Sequence, residues 1–187
     1  LSLQMTYLQT FKNKKALVTG HTGFKGSWLS AWLHLLGVDV YGISLEYSPS
    51  CPSHFDVTEL SEIVEDQRVD IRNSNELTEC VNDIKPDFVF HLAAQALVRE
   101  SYNDPVATYH TNVLGTLNLL EGLRSLEKPC TAVLITSDKC YDNVEWVWGY
   151  RESDALGGPD PYSASKGAAE LMIRSHIKSF FPQDGKI

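Results

Sequence analysis

The 187 residues are enough for one domain with a real core and too few for two comfortable ones. Apolar content of 43%, charged content of 21% and a net charge of −8 argue against a nucleic-acid partner, which would present a basic face. No apolar run approaches the length of a membrane span. The start, LSLQMTYLQTFKNKK, lacks the features of an export signal, so the cytoplasm is the expected compartment.

Residues 1–14 read as an N-terminal extension, with Met5 as the expected native start. Lys15–Thr19 is a short β-prone run. The stretch GHTGFKG follows, and after it Trp28, Leu29, Trp32, Leu33 and Leu36 recur at helical spacing. Strand, glycine turn and helix in that order make a dinucleotide phosphate site. Gly20, Gly23 and Gly26 bare the backbone, and the helix start adds partial positive charge. The helix should stop at Gly37. A second strand, Val38 to Ile43, leads to Ser44-Leu45-Glu46, where either Ser44 or Glu46 can bond an adenosine ribose. No arginine stands there to receive a 2′-phosphate, which favours NAD over NADP.

Ser48–Ser53 is a loop by composition. A short helix is predicted near Val57–Val64 and a brief strand over Arg68–Ile71. Ser74–Ile84 should be helical, capped by Asn73 or Ser74. Asp87–Leu92 is a continuous apolar strand. It runs into Ala93-Ala94-Gln95, small enough for a cofactor to lie against. A long helix is predicted over Asp104–Leu126, with a stripe of Val106, Val113, Leu117, Leu120 and Leu123. Leu114 and Leu119 widen that stripe enough to suggest a second packing partner. Thr131–Thr136 is the fifth strand, Ser137–Asp160 a long aromatic-rich loop, and Tyr162–Phe180 the last helix. This alternation predicts a Rossmann-type doubly wound α/β fold, with a parallel sheet between helices.

The four cysteines, Cys51, Cys80, Cys130 and Cys140, form no CxxC pair, and Cys80 and Cys130 read as buried thiols. No metal-ligand spacing is present, so no metal is expected.

Tyr162 and Lys166 form a YxxxK pair, one helical turn apart on one face. A free tyrosine titrates near 10 and is a poor base at neutral pH. A neighbouring ammonium favours the phenolate, so Tyr162 can accept a hydroxyl proton while hydride leaves for NAD. Thr136-Ser137-Asp138-Lys139 lies at the end of the fifth strand, the edge where open α/β sheets place ligands.

TGxxGxxG after the first strand, HLAA after the fourth, serine after the fifth and YxxxK together resemble the extended short-chain dehydrogenase/reductase family, over about Lys15–Phe181. More narrowly, GHTGFKGSW, FHLAAQALVRES, TSDKCYDN, Trp148–Glu152 and DPYSASK resemble the CDP-glucose branch of the NAD-dependent sugar-nucleotide 4,6-dehydratases. The resemblance implies a lyase converting CDP-glucose to CDP-4-keto-6-deoxyglucose, a reaction of deoxysugar and lipopolysaccharide biosynthesis. It makes Tyr162 the base at the 4-hydroxyl, Ser137 the partner of that oxygen and Asp138 the acid for the departing 6-hydroxyl. Lys139 stands where related dehydratases carry a glutamate base for carbon 5. It acts there as a neutral amine or stabilises the enolate as a cation.

For the cofactor, the resemblance assigns the pyrophosphate to Gly20, Gly23 and Gly26 with Phe24 and Lys25. It assigns adenine to Asp70 and Ile71, and the ribose and nicotinamide side to Ala93, Ala94 and Gln95. Lys166 would also bond the nicotinamide ribose. His21 either touches the cofactor or faces solvent. Arg99 either meets a substrate phosphate or is merely exposed. Asn112 is a candidate for ordering water near Lys166. Family members pair through two long helices, here the predicted Asp104–Leu126 and Tyr162–Phe180, which implies a homodimer or larger homo-oligomer. They are longer and carry a substrate domain, so residues 15–187 are expected to be the NAD-binding part without it. Competing readings are an epimerase or ketoreductase of the same family, which needs no Asp138-Lys139 pair, and a non-catalytic NAD-binding domain.

Overall fold

The apolar run Lys15–Thr19 forms β1, the central strand of a five-stranded parallel sheet ordered β3-β2-β1-β4-β5. The other strands are β2 (Asp39–Ser44), β3 (Glu65–Arg68), β4 (Phe88–His91) and β5 (Thr131–Leu134). The computed structural model describes residues 9–46 and 52–181. Met5, Cys51 and most of the predicted Ser48–Ser53 loop lie outside them.

The helices are α1 (Phe24–Leu35), α2 (His54–Val57), α3 (Ser74–Ile84), α4 (Val98–Asn103), α5 (Pro105–Tyr109), α6 (Thr116–Arg124) and α7 (Pro161–Phe180). They sandwich the sheet between two cores. One gathers Leu17, Val89, Leu77, Val81, Leu119 and Leu123 beneath α3 and α6. The other gathers Ala16, Val18, Val40, Leu33, Phe55 and Leu60 beneath α1 and α2. On β5 this second face is open, with Val133 and Ile135 exposed. Among the described residues, no helix is long and apolar enough to cross a membrane.

Several elements depart from the sequence-based expectation. The third strand lies at Glu65–Arg68 rather than Arg68–Ile71, because its register against Tyr41–Ser44 ends at Arg68. Asp70 then turns the chain, its carboxylate taking the Arg72 amide and its carbonyl the Asn73 amide. The helix predicted at Val57–Val64 is instead α2 followed by a 3₁₀ turn at Leu60–Glu62. The Ser53 hydroxyl accepts from the Asp56 amide and starts the helix early, and Glu59 breaks it in the left-handed region at φ 54°. Asn73, not Ser74, caps α3.

The predicted long helix Asp104–Leu126 is interrupted. Asp104 caps α5 through the Ala107 amide, with Pro105 at its first position. A π-helical stretch, His110–Gly115, then joins α5 to α6. Its wider turn shifts the phase of the helix face. Thr108, Asn112, Thr116 and Leu119 point inward, while Val106 and Leu114 of the predicted stripe are exposed. Cys80 and Cys130 are buried, and burial pushes each thiol up to about 11.

Candidate active site

The strand order reverses at β1, so β2 lies on one side of it and β4 on the other. The crevice beyond the carboxyl ends of β1 and β4 is where such sheets bind ligands. Gly20, Ala93–Gln95 and Ser137 follow β1, β4 and β5, and all stand at this edge.

Gly20 turns the chain with φ 72°, and its carbonyl accepts from the Gly23 amide. A β-carbon on Gly26 would lie 2.1 Å from the Gly20 carbonyl oxygen, so only glycine closes this turn. Helix α1 starts at Phe24 with no side-chain cap and no acidic residue in its first turn. Its leading amides are therefore presented to an anion, as a pyrophosphate requires. Phe24 and Lys25 are exposed at that start.

Ser44 is buried at the end of β2, its hydroxyl bonded to that of Thr22, while Glu46 is exposed. The Asp70 carboxylate is gripped by the Arg72 guanidinium, the main reason its pKa falls below the usual range. Ile71 turns its side chain into the core. His21 does not face solvent. It is fully buried, edge-on to Phe55, with Nε2 at 2.9 Å from Asp66 Oδ1.

The loop after β4 is tied in two places. The Ala93 amide donates to Thr19 Oγ1 at 3.1 Å. The Gln95 amide donates to Asn112 Oδ1 at 2.9 Å, and Asn112 Nδ2 returns a bond to the Gln95 carbonyl at 3.1 Å. Asn112 Nδ2 also reaches Ser165 Oγ at 2.9 Å. The Asn112 amide is thus committed to joining this loop to α7, rather than free to order water. His91, at the end of β4, sits between the Thr19 and Thr116 hydroxyls. Complete burial, aided by the Lys166 charge, lowers its pKa to about 3.

Helix α7 delivers Tyr162 and Lys166. Asp160 caps it, accepting from the Ser163 amide at 3.0 Å and hydroxyl at 2.6 Å. The Tyr162 amide donates to the buried Ser101 Oγ at 3.1 Å, so α4 anchors the helix start. Lys166 is 6% exposed. Burial lowers its pKa, and the nearby Glu170 carboxylate opposes the shift. Glu170 itself takes the Thr136 hydroxyl at the β5 exit.

Helix α7 packs on the 3₁₀ turn Asp138–Cys140, and Gly167 makes that approach possible: a β-carbon there would fall 3.0 Å from the Cys140 carbonyl. Ser137 Oγ donates to Asp138 Oδ1 at 3.0 Å and accepts from the Lys139 amide at 3.2 Å. Asp138 and Lys139 are exposed on this turn. The loop beyond folds back through a bridge between Tyr141 and Leu156, with Tyr141 and Tyr150 stacked at 5.2 Å. Arg99 is exposed.

Sequence reasoning missed Ser101, Ser165 and Glu170, whose partners are distant in the chain. It also missed Arg68, which the β2–β3 register sets beside Ser44. An arginine does stand at this edge, contrary to the linear reading. No local signal marks it, because Glu65-Asp66-Gln67-Arg68 is polar throughout and carries no apolar alternation.

The chain matches the family described as GDP-mannose 4,6 dehydratase over residues 17–181. It is 51% identical over 171 residues to CDP-glucose 4,6-dehydratase of Salmonella typhimurium, covering 91% of this chain and 47% of that protein. It is 30% identical to a GDP-mannose 4,6-dehydratase of Vibrio cholerae, covering 89% and 46%. The structure of Thermus thermophilus UDP-glucose 4-epimerase in complex with NAD superposes with a TM-score of 0.76 at 30% identity, covering 89% and 51%. The chain spans about half the length of the curated relatives it matches.

Proposed function

The chain belongs to the GDP-mannose 4,6-dehydratase family, and on that premise we propose that it carries the NAD site and catalytic groups for converting CDP-glucose to CDP-4-keto-6-deoxyglucose and water. One observation carries the reading: the turn bearing Ser137, Asp138 and Lys139 packs on the helix bearing Tyr162 and Lys166, at the sheet edge that holds the glycine loop. A keto-reductase or epimerase needs no acid and base after the serine. The choice of CDP-glucose leans on the Salmonella relative.

NAD bound at this edge would supply the hydride acceptor for carbon 4 and the hydride donor for carbon 6. The uncapped α1 start and the bare Gly20, Gly23 and Gly26 backbone hold its pyrophosphate. Ser44 takes the adenosine ribose, the Asp70-Ile71 segment lies along adenine, and Ala93–Gln95 lie along the nicotinamide side. Lys166 bonds the nicotinamide ribose from the same face of α7 that carries Tyr162. Tyr162 then takes the proton of the 4-hydroxyl while Ser137 bonds that oxygen. The new ketone acidifies carbon 5, whose proton passes to Lys139 and returns as the hydride enters carbon 6, while Asp138 protonates the 6-hydroxyl, which leaves as water.

Residues 15–187 act as the NAD-binding part, with 1–14 as an extension. The remaining nucleotide and sugar contacts belong to the portion that the longer relatives carry beyond this match. Exposed Val106, Leu114, Leu171 and Ile177 on the α5–α6 and α7 helices suit pairing with a second copy.

Incubating the full-length protein with NAD and CDP-, dTDP- or GDP-sugars tests the reading. The alkaline absorbance of a 4-keto-6-deoxy product should form from CDP-glucose alone. A 4-epimer without that absorbance would replace the dehydratase by an epimerase, and NAD binding with no product from any sugar would leave a binding domain.

A further inference from the structure

The β2–β3 register sets Arg68 beside Ser44, at the strand end that reads the adenosine ribose in dinucleotide folds. A guanidinium there is the usual receptor for a 2′-phosphate. In this chain it is already engaged. Nη1 donates to the Leu45 carbonyl at 2.9 Å, and Nη2 donates to Asp66 Oδ2 at 2.7 Å. The other Asp66 oxygen meets His21 Nε2 at 2.9 Å. Burial holds the His21 imidazole below its ordinary pKa, against the pull of that carboxylate. A neutral His21 leaves Arg68 to balance the Asp66 charge. The next guanidinium along, Arg72, is spent on Asp70 at 2.6 Å.

We propose that Asp66 is a specificity-determining residue: it holds Arg68 in a neutral pair, so that the ribose end of the cofactor site takes a free 2′-hydroxyl in preference to a 2′-phosphate. Two effects combine. The fork that would grip the phosphate faces the carboxylate, and the carboxylate itself repels the phosphate. The hydroxyl ledge of Thr22 and Ser44 then remains as the partner for an uncharged ribose. His21 fixes the Asp66 carboxylate from the core side, lying over Gly42 where any β-carbon would strike its ring. The inference rests on the reading of this edge as an NAD site.

Calorimetric titration of NAD and NADP into the wild type, Asp66→Asn and Arg68→Gln reads the ratio of the two dissociation constants, NADP over NAD. Asp66→Asn frees the guanidinium and removes the repelling charge, so the ratio should fall about tenfold. Arg68→Gln leaves the carboxylate unbalanced, so the ratio should rise, by roughly threefold for so exposed a pair. An unmoved ratio, or movement in the same direction in both variants, overturns the role of Asp66 while the NAD reading stands. Binding of neither nucleotide to the wild type overturns both. Should Asp66→Asn not fold, Arg68→Gln, at a side chain 36% exposed, carries the test alone.

Discussion

Asn112 Nδ2 donates to Ser165 Oγ at 2.9 Å, so a buried hydrogen bond joins the π-helical turn after β4 to the helix that carries Tyr162 and Lys166. The same amide makes two bonds with the Gln95 backbone. Asn112→Ala takes the partner from the Gln95 amide and carbonyl, each costing about 1–3 kcal/mol when left unpaired in the interior, and the donor from Ser165 Oγ, which keeps its bond to the Tyr162 carbonyl. We expect a loss of about 3 kcal/mol in urea unfolding. A loss below about 0.5 kcal/mol, the range of an ordinary surface substitution, would show that the bridge is not what holds the turn to α7.

What could be read along the chain were the elements whose signals are local. The glycine loop, the Asn73 cap, the apolar β4 and the YxxxK spacing each sit within one turn or strand, and each stands where expected. The features that escaped depend on partners far away. β3 is acidic, and only pairing with Tyr41–Ser44 makes it a strand. The π-helical widening leaves no mark in the apolar spacing of Val106–Leu123 until Asn112 is seen bonding Gln95 and Ser165. Helix α4 lay hidden behind the HLAA motif, and its Ser101 acts on Tyr162, 61 residues on.

Gly26→Ala tests the cofactor loop directly. The added carbon would fall 2.1 Å from the Gly20 carbonyl oxygen, a backbone atom that cannot swing aside. Reopening that turn costs about 1–3 kcal/mol, as overpacking does, and should weaken NAD binding by roughly tenfold to a hundredfold. Titration calorimetry beside a far-ultraviolet melt separates loss of the site from loss of the fold. Unaltered affinity would move the pyrophosphate elsewhere.

Tyr162→Phe removes the proposed base while keeping the ring in its buried place. Keto-sugar formation by the full-length protein should drop by roughly a thousandfold, with NAD affinity retained. Asp138→Asn should instead let carbon 4 be oxidised and stall water loss, so that reduced cofactor accumulates at 340 nm. Dehydration at the normal rate in Asp138→Asn would place the acid on another residue.

His91 gives the fold a measurable acid weakness. Its imidazole lies between Thr19 and Thr116 in a fully buried site, where burial and then the Lys166 charge lower its pKa from 6.5 to about 3. In the unfolded chain the same ring takes a proton as pH falls through its ordinary value. Between those limits the unfolded state binds more protons, so stability is intact above about pH 6.5 and falls steadily below it. One proton corresponds to a slope of about 1.4 kcal/mol per pH unit. His91→Gln cannot titrate and should lack that slope, whatever its own cost at neutral pH. Urea unfolding of both proteins at pH 7, 6, 5 and 4 isolates the effect, since the carboxylates common to both cancel in the difference. The wild type should lose about 1.4 kcal/mol more than the variant for each unit below pH 6. A gap constant from pH 7 to pH 4 would mean that His91 is protonated in the folded protein as readily as in the unfolded chain.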